Sequence, residues 1–137
     1  MADAGRPRRL VALAGQQNAG KSTLFNALTG VQQHIANYPG VTVDKKTGFY
    51  RGDAGEVEVV DLPGTYSLTA FSLEERVARR FLLEDRPDVV VNVLDAANLR
   101  RGLYLTFQLL ELGLPVVVVL NMMDVADRRG LAIDRAA

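Results

Sequence analysis

The chain has 137 residues, 48% of them hydrophobic and 23% charged, with 16 basic and 16 acidic side chains. That leaves room for one modest core and excludes a disordered composition; zero net charge argues against a dedicated nucleic-acid surface. With no cysteine there are no disulfides or thiolate metal sites, and the longest uncharged apolar runs, Leu114 to Leu120 and Val89 to Leu94, fall far short of the roughly 18–20 residues of a membrane span.

The basic start, Arg6, Arg8 and Arg9, reads as a solvated arm, and no N-terminal apolar core of signal-peptide length is present. The first predicted element is a buried strand over 9–14. Gly15-Gln16-Gln17-Asn18-Ala19-Gly20-Lys21-Ser22 follows it and fits G-x-x-x-x-G-K-[ST], the phosphate-cradling loop of P-loop NTPases. A helix is predicted over 21–29. In that context the nucleotide contacts run from Gly15 and Gln17 through Asn18, Ala19 and Gly20 to Lys21, Ser22 and Thr23. Gly15 and Gly20 let backbone N–H groups turn toward an anion at the helix N-terminus. Lys21 reaches the β- and γ-phosphates, and Ser22 offers a hydroxyl to Mg²⁺.

Strands over 43–51 and 55–61 are joined by Gly52-Asp53-Ala54-Gly55, a hairpin signal, and are expected to be antiparallel. The second strand ends in Asp61-Leu62-Pro63-Gly64. There Asp61 is placed to hold Mg²⁺, usually through water, and the Gly64 N–H to bond the γ-phosphate and so sense hydrolysis. The helix predicted over 72–84 opens with Ser72-Leu73-Glu74-Glu75, a capping box, and lays Leu73, Val77 and Phe81 on one face. A strand over 89–95 leads to a helix over 99–112. Asn98 is expected to cap that helix, Leu103, Phe107 and Leu110 to form its core face, and Gly113 with Pro115 to end it. The last predicted strand, 115–121, runs into Asn121-Met122-Met123-Asp124. This is the N-x-x-D arrangement of guanine-reading GTPases. The Asp124 carboxylate accepts from the two adjacent donors of guanine, N1–H and the N2 amino group, which adenine does not present. Asn121 bridges base and phosphate loop, and Met122 gives the base an apolar cover without charge. Phosphate, metal and base motifs all follow the C-terminal ends of strands, where open α/β sheets bind ligands.

One family carries these motifs together. His34-Ile35-Ala36-Asn37-Tyr38-Pro39-Gly40-Val41-Thr42-Val43 resembles the N-x-P-G-V-T-V segment of bacterial ferrous iron transport protein B (FeoB). So do Leu24 to Gly30, Asp61 to Leu68, Asp95 to Leu105 and Leu120 to Asp124. The resemblance runs from about residue 10 to residue 134 without an obvious insertion. It implies an α/β fold of the Ras-like P-loop NTPase type: a mostly parallel sheet with one antiparallel edge strand and helices on both faces. It also implies a GTP-hydrolysing domain on the cytoplasmic side of a bacterial inner-membrane Fe²⁺ transporter. Thr42 then becomes the switch I threonine that closes on Mg²⁺ and the γ-phosphate, so that Lys21, Thr42 and Gly64 form the catalytic set. Asn18 matches the asparagine that binds K⁺ in FeoB, where the ion stands in for an arginine finger.

Domains of this type continue past Asp124 with another helix, a strand, a guanine-touching loop and a last helix. The chain is therefore expected to be one incomplete G domain over 1–137, a fragment or a shortened relative. It should be soluble by itself, without the membrane part, and open to self-association along the strand ending at Asn121. Thr65-Tyr66 stands where Ras-like enzymes place a water-orienting Gln, so slow turnover is expected. His34, the only histidine, reads as a solvated switch residue, since no partner stands at metal-ligand spacing. Two other classes stay open: an RNA- or ribosome-associated GTPase, and a nucleotide-binding fragment without useful hydrolysis.

Overall fold

Alternating side chains set the two faces of the sheet. In the first strand, β1 (Arg9–Gly15), Ala12 and Ala14 join one buried cluster while Leu13 joins another, as the two-residue period of a strand requires. β4 (Gly55–Asp61) repeats the pattern with Val60 on the first side and Val59 on the second. The computed structural model describes residues 9–53 and 55–133. Arg6 and Arg8 of the basic start lie outside the described residues; Arg9 is the exposed first residue of β1.

The remaining elements are α1 (Lys21–Thr29), β2 (Gln33–Asn37), β3 (Asp44–Gly52), α2 (Leu73–Glu84), β5 (Val89–Asp95), α3 (Leu99–Glu111), β6 (Val116–Asn121) and α4 (Met123–Arg128). The sheet order is β2-β3-β4-β1-β5-β6. β4, β1, β5 and β6 pair in parallel, and β3 runs antiparallel to β4. Helices cover both faces. Val77, Ala78, Phe81 and Leu82 of α2 join Leu105 and Leu109 of α3 on one side, and Phe25 anchors α1 on the other. Phe25 is 1% exposed; fully burying such a ring contributes about 1.5–3 kcal/mol. The Ras-like class is borne out, with the sheet edge extended by one strand.

That additional strand is β2, paired antiparallel with β3 from Gln33 opposite Gly48 to Asn37 opposite Asp44. It has no apolar alternation to announce it: His34, Ile35, Ala36 and Asn37 all face solvent. Backbone pairing alone makes it a strand, and His34 stands on it opposite Thr47. At the far side of the sheet β6 is the edge strand among the described residues, with Val117 and Val118 exposed.

Two expectations about α3 are corrected. Its core face is Leu105, Thr106 and Leu109; Phe107 is 60% and Leu110 53% exposed, and Leu103 is only half-buried. The helix is apolar on more than one side, so spacing alone did not choose between faces. Gly102 does, because a Cβ there would strike Leu94 of β5, which puts the Gly102 side against the sheet. Asn98 occupies the N-cap position, but its side chain does not cap; it donates to Asp95 Oδ2 at 3.0 Å instead. Asp95 does the local capping, accepting from Ala97 N at 2.8 Å.

Candidate nucleotide site

Two glycines shape the loop after β1. Gly15 has φ +124°, and a Cβ there would collide with the Val93 carbonyl oxygen, so β1 lies too near β5 for any side chain. Gly20, at φ +96°, is the N-cap of α1, and a Cβ on it would collide with Asn121 Nδ2. Between them Gln17–Ala19 makes a single 3₁₀ turn. No side chain caps the start of α1, so the orphan N–H groups of a first helical turn and their partial positive charge remain available to a ligand. Ala19 is buried, Ser22 half-buried, and Asn18 and Thr23 are exposed.

Lys21 is 1% exposed. A buried ammonium needs acceptors, and it has two: Nζ donates to Asp61 Oδ1 and to the Leu62 carbonyl oxygen, the latter at 2.6 Å. The phosphate loop and the D-L-P-G segment, 40 residues apart, are thus tied by one side chain. In front of them opens a cleft of ≈ 810 Å³ whose walls include Asn18, Thr42, Asp61, Gly64 and Glu74. Sequence reasoning had not placed Glu74 there; only the turn of α2 brings it round.

Thr42 is exposed and lies in a tight turn between β2 and β3, closed by Tyr38 N donating to Val43 O at 2.9 Å. Tyr38 holds this turn down. Its hydroxyl donates to the Asp61 carbonyl oxygen at 3.0 Å, its ring meets Phe81 edge-on at 6.1 Å, and Lys45 Nζ lies 5.8 and 5.6 Å from the two ring centres. Burial raises the Tyr38 pKa above its usual value, with the Asp61 and Asp85 charges adding to the effect. The signal was a lone aromatic in a polar N-Y-P-G stretch, which the motif reading passed over.

Behind Gly64 the chain is tightly bonded. Thr65 N donates to Gly15 O at 3.3 Å, and the Thr65 hydroxyl donates to Ser67 O at 2.6 Å while accepting from Ser67 N at 3.1 Å. The Tyr66 ring lies under the Arg101 guanidinium at 4.3 Å. The Thr65 hydroxyl is thus engaged as both donor and acceptor within its own loop. The expected capping box forms: Ser72 Oγ accepts from Glu75 N, and Glu75 accepts from Ser72 N. Glu75 also accepts from Ser67 Oγ at 2.6 Å and Phe71 N at 2.8 Å, which fastens the whole loop to α2. The Ser67 hydroxyl first, then the Ser72 N–H, hold the Glu75 carboxyl below its usual pKa.

At the end of β6, Asn121 Nδ2 donates to the Ala19 carbonyl oxygen at 2.9 Å, bridging 102 residues of sequence. Met122 then takes φ +60°, a strained conformation for a non-glycine residue, as the N-cap of α4. Asp124 lies in the first turn of α4 with its carboxylate in solvent, accepting from Arg128 at 3.3 Å. So the structure joins Asn121 to the phosphate loop and leaves Asp124 accessible. Among the described residues no group of three or more His, Cys, Asp or Glu side chains is assembled that could hold a metal, and no helix is long and apolar enough to cross a membrane.

A family model described as ferrous iron transport protein B matches residues 9–137. The chain belongs to the FeoB family. It is 50% identical over 128 residues to the Fe(2+) transport protein A/Fe(2+) transporter FeoB fusion protein of Porphyromonas gingivalis, a match covering 93% of this chain and 15% of that protein. It is similar to the cytosolic domain of the T. maritima FeoB iron transporter in its GMPPNP form, with TM-score 0.87, 45% identity, and coverage of 93% of this chain and 50% of that one. It is likewise similar to an S. thermophilus NFeoB mutant bound to GDP, with TM-score 0.85, 48% identity, and coverage of 92% and 49%. The chain thus spans 15–17% of the length of the curated FeoB relatives it matches.

Proposed function

We propose that this chain is the GTP-binding, slowly GTP-hydrolysing switch domain of a ferrous iron transporter, activated by K⁺ and working on the cytosolic face of the membrane. The observation that carries this is convergence. Asn18, Thr42, Asp61 and Gly64, from three separate segments, line one cleft, and Asn121 is bonded to the loop behind it. Family relatives in GDP and GMPPNP forms support guanine nucleotides as the ligand.

The donor chemistry fits the expected ions. Ser22, Thr42 and Asp61 offer oxygen only, the set Mg²⁺ prefers, and the exposed Asn18 amide on the cleft wall offers a neutral oxygen of the kind K⁺ accepts. When bound, the two cations supply positive charge to the phosphate oxygens. The chain's own residues do the rest. Lys21 turns from Asp61 and the Leu62 carbonyl to the β- and γ-phosphates, and the Gly64 N–H donates to the γ-phosphate. Thr42 closes over it, drawing the turn that Tyr38 anchors. Asp124 and Asn121 hold guanine under Met122. Water then displaces GDP from the γ-phosphorus, its proton passing to the released phosphate, without help from the Thr65 hydroxyl, which is engaged with Ser67. Turnover is slow for that reason.

Steady-state phosphate release in KCl and in NaCl at matched ionic strength tests the proposal. Wild type should be faster in KCl, and Asn18→Ala should lose most of the difference. A wild-type rate indifferent to K⁺ would make Asn18 a structural residue of the loop.

A further inference from the structure

The front cleft is poor in positive charge for a site that is to hold a polyanion. Among the described residues its walls carry three carboxylates, Asp44, Asp61 and Glu74, against one cationic side chain, Lys46. Lys21, the ammonium beside it, is engaged by Asp61 and the Leu62 carbonyl oxygen. The strand β3 decides where Lys46 points, because successive side chains take opposite faces of a sheet. Lys45 lies over the Tyr38 and Phe81 rings, on the α2 side. Lys46 therefore takes the α1 side, as does Gly48 two residues on, where a Cβ would strike Thr29 of α1. In the antiparallel pairing of β3 with β4, Lys46 stands directly opposite Asp61, whose carboxylate turns to that same side to meet Lys21. The Cβ atoms of such a pair are about 4.5–5.5 Å apart, a gap that the flexible four-carbon stem of a lysine crosses. Yet Lys46, half-buried, makes no ion pair among the described residues.

We propose that Lys46 is a positioning residue that takes over the Asp61 carboxylate when Lys21 leaves it for the β- and γ-phosphates. The inference rests on reading the cleft as a nucleotide site. Asp61 is 8% exposed, and a buried carboxylate is costly to leave without a cation. With no second ammonium, Lys21 could reach a phosphate only by leaving that carboxylate bare, and the bare carboxylate would repel the arriving anion. Lys46 answers both difficulties from its cross-strand position. It neutralises Asp61 while keeping it turned into the cleft, and it releases Lys21 from competition. Mg²⁺, when bound, supplies positive charge at the same carboxylate, so Lys46 matters most while the metal is away. Lys45 cannot substitute, because its ammonium is on the opposite face of the sheet.

Two measurements on the whole 137-residue chain test this. Without nucleotide or Mg²⁺, Lys46→Met should hardly move the urea midpoint of wild type, where Lys21 holds Asp61. In a Lys21→Met background the same change should lower the midpoint by about 0.5 M, because Lys46 is then the partner of Asp61. Equal shifts in the two backgrounds overturn the proposal. The second measurement is GDP affinity by calorimetric titration, in EDTA and in saturating Mg²⁺. Lys46→Met should bind GDP about threefold more weakly than wild type in EDTA and nearly as well as wild type in Mg²⁺, and Lys46→Arg should match wild type in both. A loss of the same size with and without Mg²⁺, or no loss in EDTA, overturns the proposal, and this result decides it even if Lys21→Met does not fold. The urea series needs no nucleotide, so a wild type that fails to bind GDP counts against the nucleotide assignment alone.

Discussion

Removing the Asp61 carboxylate exposes how the nucleotide-free site is held together. In the structure the Lys21 and Asp61 side chains are 1% and 9% exposed and bonded to each other. Asp61→Ala leaves a buried ammonium with the Leu62 carbonyl as its remaining acceptor. Breaking a buried pair by deleting one partner costs about 3–5 kcal/mol, whereas replacing both partners with apolar groups is often near neutral. Asp61→Ala should therefore lose about 3 kcal/mol, or roughly 10 °C in Tm for a domain of this size. Adding Lys21→Met should restore much of that loss, giving a coupling energy on the order of 2 kcal/mol. Urea unfolding of the two single variants and the double variant, without nucleotide or Mg²⁺, measures it. Additive losses, or an Asp61→Ala cost under about 1 kcal/mol, would mean that Lys21 is already solvated and the pair holds nothing.

Thr42→Ala should slow GTP hydrolysis about tenfold or more while leaving GDP affinity nearly unchanged, because the switch closes only on a γ-phosphate; equal loss of GDP and GTP binding would argue against that role. Glu75 gives a pH signature. Its carboxyl is held below its usual value of 4.5 by the Ser67 hydroxyl and the loop N–H groups. The bonds it accepts therefore stabilise the loop above that pH and are lost as the pH falls through the lower folded-state value. Protection of the Phe71 and Ser72 amides against hydrogen exchange, taken relative to the intrinsic rate at each pH, should fall below pH 4.5 in wild type and be low at all pH values in Glu75→Gln; protection independent of both pH and substitution would contradict this.

Much of the architecture was legible because local chemistry and global fold agree. The phosphate loop, the D-L-P-G strand end, the Ser72–Glu75 capping box and the turn at Gly113 each carry their own geometric reason, and each forms as read. What escaped depends on contacts between distant segments. β2 has no apolar pattern, because an edge strand with solvent on both sides needs none. The core face of α3 is decided by how closely Gly102 approaches Leu94, not by the spacing of its many leucines. The tie from Lys21 to Asp61 and Leu62 and the Tyr38 hydroxyl on the Asp61 carbonyl appear only once the strands are side by side.

The most direct measurement of the central claim is calorimetric titration of Mg²⁺ complexes of GTP, ATP and xanthosine triphosphate analogues into wild type and Asp124→Asn. If the solvent-facing Asp124 carboxylate reads two guanine donors, wild type should bind the guanine analogue far more tightly than the adenine one. Asp124→Asn should lose about 3 kcal/mol for guanine and turn to xanthine, whose extra oxygen the Asn amide can meet. Equal binding of the adenine and guanine analogues by wild type, or an Asp124→Asn variant that still prefers guanine, would contradict it.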